Sequence, residues 1–569
     1  MQNEHTIDAP WMAAWSQYLG RDLPVQAHAL IQEVLLAMQS GHSCLAALPE
    51  QVKSLGSLVA IPEQVAPFIY DQEHVYLYRY WQLEQRVAAD VARLSTAEVT
   101  PIALQDYADL LSDEHQQHAL AMVAKQGFSI ITGGPGTGKT YTLARIIAAL
   151  NQALPNLRIA MAAPTGKAAQ RMKEALQNSF NDEKISHLVS EDLKNLHPVT
   201  LHRLLGLGTQ YQARFSAKQP LPFDVVVVDE ASMLDLQLAS LLFAAVANGT
   251  RLILLGDANQ LASVDVGAIL ADLQQVDALA QHRVHLKNSR RFKAGALIGE
   301  LAGFIQQPHQ LETVLAEFEQ LLPSTQLQAI PLSTEMLDVV QVEYLKEQPN
   351  AADYAVYYDQ LMLGFNGYVN ALKAYLDSDD PEELLTDVLT HFDDYRILTA
   401  IRQGQLGLYQ INQQIEKRLL QQLALHTTKQ GDWYVGRPVM MTYNDYQLGL
   451  SNGDIGICLQ RLRDGEWQFE VYFPSLEKWL PAARLPKNIE TAFALTIHKS
   501  QGSEFKHTAL VLDRYAANLL SQELIYTAIT RAKSAVSILA DKHSLQQALM
   551  VATTRQSGLQ KKLKSRLNF

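Results

Sequence analysis

Residues 130–140, IITGGPGTGKT, leave this chain fewer folding options than any other stretch of it. They contain the pattern G-x-x-x-x-G-K-[ST], in which Gly133 and Gly138 are the fixed glycines and Lys139 and Thr140 close the motif. A β-branched run precedes the pattern, and the apolar residues after it recur with the period of a helix. The stretch therefore predicts a strand, a phosphate-binding loop and a helix, in that order.

The loop of this unit is suited to the phosphates of a nucleotide. Its glycines let backbone N–H groups point inward, and the N-terminus of the following helix adds positive potential. We expect Lys139 to reach the terminal phosphates of ATP and the Thr140 hydroxyl to bind Mg²⁺. The other expected nucleotide-binding residues form the loop itself: Gly133, Gly134, Pro135, Gly136, Thr137 and Gly138.

Length and composition are those of an ordinary globular protein with several domains. A chain of 569 residues is too long for one hydrophobic core and suggests about three or four domains. The first residues do not form a secretory signal, and no apolar run reaches the ~20 residues that span a bilayer. With only two cysteines, the chain is expected in the cytoplasm. The net charge of −12 disfavours a globally basic nucleic-acid binder but allows a local basic groove.

Strand and helix patterns alternate over two parts of the chain, which predicts an α/β protein with parallel sheets. The first part, 106–390, has four apolar strand candidates: 128–132, 158–163, 224–228 and 251–256. It ends in a polar, helical extension that begins near residue 295. The second part, 391–569, has three strand candidates: one from Tyr395, one at 507–513 and one at 534–540.

Other segments do not follow this alternation. Residues 1–105 are rich in helix formers and predict a mainly helical domain for docking a partner, although its aromatic residues are more often core than interface. Short alternating segments with hairpin turns predict a small β-barrel insert at about 430–490. The polar stretch 206–223 predicts a hairpin or loop, and the basic residues 560–569 are expected to form a solvated tail.

A second chemical motif follows the third predicted strand. The run VVVVDE, residues 225–230, is a buried strand that ends in Asp229 and Glu230. Such a pair is often a helix cap, but the phosphate loop upstream favours Mg²⁺ binding by the first carboxylate and orientation of water by the second. The next strand is followed by Gln260, whose amide is suited to sense the γ-phosphate. Arginines that could stabilise the charge of phosphoryl transfer are Arg290, Arg291 and Arg531.

The ordered series of motifs resembles the superfamily 1 DNA helicases, and within them the family of exodeoxyribonuclease V alpha chains (RecD). The matching runs are GGPGTGKT (133–140), APTGKAAQRM (163–172), TLHRLLG (200–206), VVVDEASM (226–233), LLGDANQLASV (254–264), SRRF (289–292), GRPVMMTYNDYQLGLSNGDIG (436–456), TIHKSQGSEF (496–505) and YTAITRAKS (526–534). Shorter likenesses, GHSCL (41–45) and YLYRYWQLEQRVA (76–88), favour this family over relatives with longer N-termini. The resemblance implies two RecA-like motor domains, a helical N-terminal domain, an SH3-like barrel at 430–490 and a pin near 206–223.

The resemblance also implies a role for each matching residue. The catalytic residues would be Lys139, Asp229, Glu230, Gln260, Arg291 and Arg531. Gln116 would read adenine, and Glu504 would lie near the ribose. The DNA-binding candidates would be Thr165, His202, Thr496 and His498. The family usually has an aromatic residue at the position of Arg290, so the choice of finger between Arg290 and Arg291 stays open.

The implied activity is an ATP-dependent 5′-to-3′ DNA helicase and translocase. It would act on single strands and duplex ends beside RecB-like and RecC-like subunits in a heterotrimer, in double-strand-break repair and recombination. A free-standing helicase and a regulatory ATP switch without unwinding stay open as alternatives. The sequence shows no acidic-lysine cluster of the kind that metal-dependent cleavage needs, so nuclease activity is expected only from a partner.

Overall fold

Two parallel sheets with helices packed on them organise the chain. The computed structural model describes residues 10–103, 105–208, 212–289, 296–333, 336, 338–423, 429–445, 447–463 and 465–567. The predicted α/β fold with parallel sheets is confirmed. Among the described residues, no helix combines the length and the apolar character that crossing a membrane would require.

The N-terminal part combines helices with a small sheet. Its helices are α1 (Pro10–Leu19), α2 (Val25–Gln39), α3 (Pro49–Lys53) and α4 (Tyr78–Thr96). Its sheet has the order β1-β4-β3-β2, with β1 (Leu45–Ala46), β2 (Val59–Ala60), β3 (Phe68–Tyr70) and β4 (His74–Leu77). The first three of these strands are two or three residues long, too short to give a sequence pattern of their own. Tyr76 and Trp81 are buried, as the core interpretation of the aromatic cluster predicts.

The first of the two predicted motor domains contains a six-stranded parallel sheet in the order β10-β5-β9-β8-β6-β7. Its strands are β5 (Phe128–Gly133), β6 (Ile159–Ala163), β7 (Val199–Thr200), β8 (Val225–Val228), β9 (Arg251–Gly256) and β10 (Arg283–Leu286). Its helices are α5 (Glu114–Lys125), α6 (Lys139–Ala153), α7 (Gly166–Phe180), α8 (Glu191–Lys194), α9 (Leu201–Leu205), α10 (Leu236–Ala245) and α11 (Ile269–Gln274). Every residue of β5, β8 and β9 is buried, because helices cover both faces of the sheet.

The chain between the two sheets consists mainly of helices. They are α12 (Leu297–Ile305), α13 (Val314–Leu321), α14 (Ala351–Leu363), α15 (Asn366–Asp377) and α16 (Leu385–Asp393). A strand, β11 (Val339–Tyr344), interrupts them and pairs with the second sheet, in parallel with its last strand. The extension predicted for the first motor domain therefore packs with the second, where Tyr357, Phe365 and Phe392 share a core with Ile397.

The second motor domain has a five-stranded parallel sheet in the order β11-β22-β21-β12-β20. Its own strands are β12 (Tyr395–Thr399), β20 (Ala494–Thr496), β21 (Phe505–Leu512) and β22 (Ala532–Ala540). Its helices are α17 (Leu408–Gln422), α18 (Gln522–Ile529) and α19 (Lys542–Met550). The three strands that the sequence predicts in this part therefore form, and β11 and β20 add an unpredicted strand at each edge of the sheet.

An antiparallel insert separates α17 from β20. A two-stranded ribbon, β13 (Lys429–Gln430) and β14 (Trp433–Tyr434), precedes a sheet in the order β18-β17-β16-β15-β19. The strands of that sheet are β15 (Arg437–Met440), β16 (Ile455–Arg463), β17 (Glu466–Phe473), β18 (Lys478–Pro481) and β19 (Glu490–Thr491). An SH3-like barrel stays a prediction for this insert. The predicted pin contains an isolated antiparallel bridge between Ser216 and Gln219.

The end of the chain differs from the prediction of a solvated tail. A helix, α20 (Leu559–Leu567), packs along α4 of the N-terminal part. Leu559, Lys562 and Leu563 are buried there, on one face of the helix. Basic residues dominate the composition of this segment, but its two buried leucines, at helical spacing, find an apolar partner surface.

Candidate nucleotide site and neighbouring cavities

The phosphate loop joins the end of β5 to the start of α6. Gly138 has a φ of +82°, and a Cβ added there would lie 2.9 Å from Nε2 of Gln116. The left-handed backbone favours glycine here, and a Cβ would displace the Gln116 amide. The Nζ of Lys139 donates hydrogen bonds to the carbonyl oxygens of Gly133 (2.6 Å) and Gly134 (3.2 Å). The ammonium therefore lies against the backbone of the loop, within reach of an anion bound there.

A cavity of about 610 Å³ opens between this loop and the second motor domain. It is lined by most of the predicted ATPase residues: Pro135, Gly136, Thr137, Gly138, Lys139, Thr140, Asp229, Glu230, Gln260, Glu504 and Arg531. Gln116 lies beside the cavity, buried, with Nε2 3.4 Å from the carbonyl oxygen of Thr137. Arg290 and Arg291 lie outside the described residues. The volume suits a nucleotide-sized ligand.

The two carboxylates after β8 face this cavity from the first motor domain. Oδ1 of Asp229 accepts a hydrogen bond from the N–H of Glu230 (2.9 Å), which adopts a left-handed φ of +52°. Burial and the neighbouring Glu230 raise the pKa of Asp229 to about 6, and Lys139 opposes this shift. Two carboxylates at one sheet edge, with the Thr140 hydroxyl lining the same cavity, form an oxygen donor set that fits Mg²⁺.

Arg531 reaches the cavity from the second motor domain. Its side chain is 3% exposed, and its Nη2 donates a hydrogen bond to Oε1 of Gln260. Its Nε donates to the carbonyl of Thr527 (3.1 Å), and its Nη1 donates to that of Ser503 (3.3 Å). Burial lowers the pKa of the guanidinium, which stays charged at neutral pH. Through Gln260, this contact joins the two motor domains at the nucleotide cavity.

A second contact across the cavity involves Arg171, which was not singled out from the sequence. From α7, its Nη2 donates to Oε2 of Glu504 (2.9 Å), and its Nη1 donates to the carbonyl of Gly502 (3.2 Å). The Nζ of Lys533 lies 3.7 Å from the same oxygen of Glu504. Two cations therefore engage Glu504, and its role near the ribose stays a prediction. Arg171 does lie within the matching run 163–172, but its partner comes much later in the chain.

A larger cavity, of about 800 Å³, lies between the same two motor domains. It brings together three of the predicted strand contacts: Thr165, Thr496 and His498. Its lining also includes three cations and an aromatic residue that were not predicted: Lys167, Arg402, Lys499 and Tyr515. Burial lowers the pKa of Lys167 to about 8 and also lowers the pKa of His498. Three cations beside an exposed ring are suited to a single nucleic-acid strand, and Asp235 and Asp265 line the same cavity.

His202 lies in a separate cavity of about 430 Å³, next to Arg79 and Tyr80 of α4. This cavity shares Asp235 and Asp265 with the larger one, so the two are neighbours. Burial lowers the pKa of His202, which favours its neutral form. The structure therefore does not bring His202 together with the other predicted strand contacts.

Comparisons with known proteins match both motor domains. A family profile described as an AAA domain matches residues 116–266, which contain the phosphate loop and Gln260. A profile described as a UvrD-like helicase C-terminal domain matches residues 491–539, which contain Arg531. The two halves of the nucleotide cavity therefore carry separate family signatures.

Individual relatives match most of the chain. The RecBCD enzyme subunit RecD of Haemophilus influenzae is 34% identical over 548 residues, covering 88% of this chain and 82% of that protein. The ATP-dependent RecD2 DNA helicase of Deinococcus radiodurans is 29% identical over 420 residues, covering 74% of this chain and 48% of that protein. Among solved structures, the Pif1 helicase from Candida albicans covers 78% of this chain and 97% of its own, at 17% identity and a TM-score of 0.40. That structural likeness is too weak to add to the sequence relationship.

Proposed function

This chain belongs to the RecD family of superfamily 1 helicases, and from that membership we propose that it is the ATP-driven, 5′-to-3′ DNA helicase subunit of a RecBCD-type complex. The observation that carries the proposal is the hydrogen bond from Arg531 to Gln260. It joins the two motor domains next to the phosphate loop, so events at the nucleotide and movement between the domains involve the same side chains.

The residues of the nucleotide cavity divide the work of phosphoryl transfer among them. Lys139 would bind the terminal phosphates, and Asp229 with the Thr140 hydroxyl would hold the cation. Mg²⁺, when bound there, neutralises charge on the phosphates. Glu230 orients or deprotonates the attacking water, and Arg531 stabilises charge on the transferred group. Gln116 and Glu504 would contact the adenine and the ribose, and Arg291 would be a second finger.

Movement along DNA follows from where the strand contacts lie. Thr165 and Lys167 belong to the first motor domain, and Thr496 and Lys499 belong to the second. When the cleft closes on ATP or opens after hydrolysis, the distance between these two groups must change, so a bound strand can be passed from one group to the other. Cations on the wall contact phosphates rather than base edges, which suits movement without sequence preference.

The N-terminal part supports the proposal that the chain works with RecB-like and RecC-like subunits. Helix α1 exposes Trp11 (56%), Trp15 (36%) and Tyr18 (77%). Their spacing places these aromatic side chains on one face of the helix, as expected of a surface that a partner covers. Such a complex would act on broken duplex ends in the cytoplasm, in double-strand-break repair, with the nuclease carried by a partner.

The proposal is tested by Lys139→Ala in the full chain, alone and together with the large subunits. Loss of the Lys139 ammonium should abolish DNA-stimulated ATP hydrolysis and unwinding, because that group would bind the terminal phosphates. Assembly should persist, because among the described residues its Nζ bonds only carbonyls of the loop. Lys561→Ala is the control, since that exposed lysine pairs with Glu73 at the surface. Unchanged unwinding by the Lys139→Ala chain alone would exclude the motor function.

Two other outcomes separate the alternatives. Robust unwinding by the isolated wild-type chain, without co-purifying large subunits, would favour a free-standing helicase. DNA-stimulated hydrolysis without any unwinding, with or without the large subunits, would favour a regulatory ATP switch. DNA cleavage by the purified chain would refute the assignment of the nuclease to a partner.

A further inference from the structure

The last part of the chain crosses from the second motor domain back to the first. Helix α19 packs in the second motor domain, where Leu545 and Leu549 are fully buried. Helix α20 packs along α4 beside the first motor domain, where Leu559 and Leu563 are fully buried. We call residues 551–558, between these two helices, the C-terminal strap.

The strap contains Arg555, but contacts of other residues also hold the strap in place. Just after it, Nζ of Lys562 forms a 2.6 Å ion pair with Oε2 of Glu84 in α4, and both side chains are almost completely buried. Within it, the carbonyl of Gln556 accepts a hydrogen bond from the N–H of Ser43 (3.0 Å), and its Oε1 accepts one from the N–H of Ala46 (2.8 Å). Loss of the arginine side chain should therefore leave the path of the strap in place.

Arg555, in the strap, binds the loop that follows β9. We call residues 257–267 the coupling loop. The Nη1 of Arg555 donates hydrogen bonds to the carbonyl oxygens of Asp265 (2.8 Å) and Gly267 (2.7 Å), and its Nη2 donates to that of Ser263. One side chain from the far end of the chain thus holds three carbonyls of this loop.

The coupling loop connects the nucleotide cavity with the larger cavity. Near its start, Gln260 accepts the hydrogen bond from Arg531, and the N–H of Leu261 donates to Oγ1 of Thr527 (2.8 Å). Further along, Val264 is 71% exposed and lines the larger cavity. A few residues of irregular backbone therefore lie between the contacts at one cavity and the lining of the other.

We propose that Arg555 is a positioning residue that fixes the DNA-facing end of the coupling loop and so sets how strongly a bound strand accelerates ATP hydrolysis. The inference rests on the proposed function and deepens it, because the loop has nothing to couple unless the larger cavity holds DNA. A planar guanidinium suits this role, since its fork donates to several acceptors in fixed directions. Without it, the carbonyl of Ser263 would lose this donor, and those of Asp265 and Gly267 would keep the Oγ of Ser263 as a donor. Val264 would then be held less firmly beside the strand.

The test compares Arg555→Ala, Arg555→Lys and the wild type in the full chain. Steady-state ATP hydrolysis is measured with and without a homopolymeric thymidine strand, at fixed salt. The ratio of stimulated to unstimulated kcat should fall about 2- to 30-fold in Arg555→Ala, the range for residues that carry coupling between sites. The KM for ATP should stay within about twofold. The ratio of stimulated to unstimulated kcat for Arg555→Lys should lie between those of Arg555→Ala and the wild type, because one ammonium cannot serve three carbonyls in the same geometry.

Arg566→Ala is the matched control, because that arginine lies in α20 and donates to Oε1 of Gln85, away from the coupling loop. It should keep the wild-type ratio. A wild-type ratio in Arg555→Ala would overturn the inference, and so would equal losses of stimulated and unstimulated kcat in both Arg555 variants. A wild-type chain that DNA does not stimulate would remove the proposed function as well, so the two failures are distinguishable.

Discussion

Replacing Arg531 by alanine should remove nearly all ATP hydrolysis and leave most of the nucleotide affinity. Its guanidinium comes from the second motor domain, is 3% exposed and is bonded to Gln260 beside the phosphate loop. An arginine that stabilises the transition-state charge of phosphoryl transfer contributes about 10³- to 10⁵-fold in kcat. At ~1.36 kcal/mol per tenfold, this is roughly 4–7 kcal/mol of barrier. Binding of ATP depends mainly on the phosphate loop and should weaken less than about tenfold.

The same substitution costs folding free energy, which has to be separated from catalysis. Besides Gln260, the guanidinium donates to the carbonyls of Thr527 and Ser503. If water from the cavity replaces each lost hydrogen bond, the cost is about 1 kcal/mol per acceptor, or about 3 kcal/mol for the three acceptors together. The assay is therefore kcat at saturating ATP and single-stranded DNA, well below the first thermal unfolding transition, beside a titration with a fluorescent nucleotide.

Arg251→Ala supplies the matched control. This arginine is also 3% exposed, and its guanidinium donates to the carbonyls of Val123, Ala124 and Thr100. It stands at the start of β9, whereas the nucleotide cavity lies at the ends of the strands. Its replacement should cost a similar amount of stability and leave kcat unchanged. Equal kcat for the two variants, at equal folded fractions, would refute the reasoning and make Arg531 a purely structural residue.

Two further substitutions test the phosphate loop and the larger cavity. Gly138→Ala should raise the Kd for ATP about tenfold, because φ is +82° and the new Cβ would lie 2.9 Å from Nε2 of Gln116. The control is Gly465→Ala, at φ +83° with open space around it, which should leave that Kd unchanged in the same nucleotide titration. Affinity for single-stranded DNA should fall about fivefold as the pH rises through 8. Burial lowers the pKa of Lys167 to about 8, so its positive charge is present below that pH and lost above it. Anisotropy titrations at constant ionic strength should show a flatter pH profile of affinity for Lys167→Arg, and a profile unchanged from the wild type would contradict this origin.

Much of both motor domains could be predicted because the signals are local. Continuous apolar runs gave the central strands, and the glycine pattern with a helical period after it gave the phosphate loop. The carboxylates after β8 could be interpreted for the same reason, since a strand end and its next two residues are neighbours in sequence. Gln260 and Arg531 could be named as candidates from their motifs, but their contact could not, because the cavity that joins them needs both domains.

The features that sequence could not give depend on partners that are distant in the chain. Strand β11 follows a polar region, and only its pairing with β22 makes it part of the second sheet. Helix α20 has a basic composition, and its two buried leucines become meaningful only against α4. The same holds for the contact between Arg171 and Glu504, which spans the cleft. In each case the deciding interaction is tertiary, and local composition alone favoured a simpler interpretation.

Strand displacement on tailed duplexes tests the central claim most directly. The wild-type chain, assembled with its large partner subunits, is given ATP and a duplex with either a 5′ or a 3′ single-stranded tail, with the motor of the partner inactivated. We predict ATP-dependent unwinding of the 5′-tailed duplex, none of the 3′-tailed one, and loss of activity in Lys139→Ala. Equal unwinding of both duplexes, unwinding of the 3′-tailed duplex alone, or unwinding that survives Lys139→Ala would contradict the account.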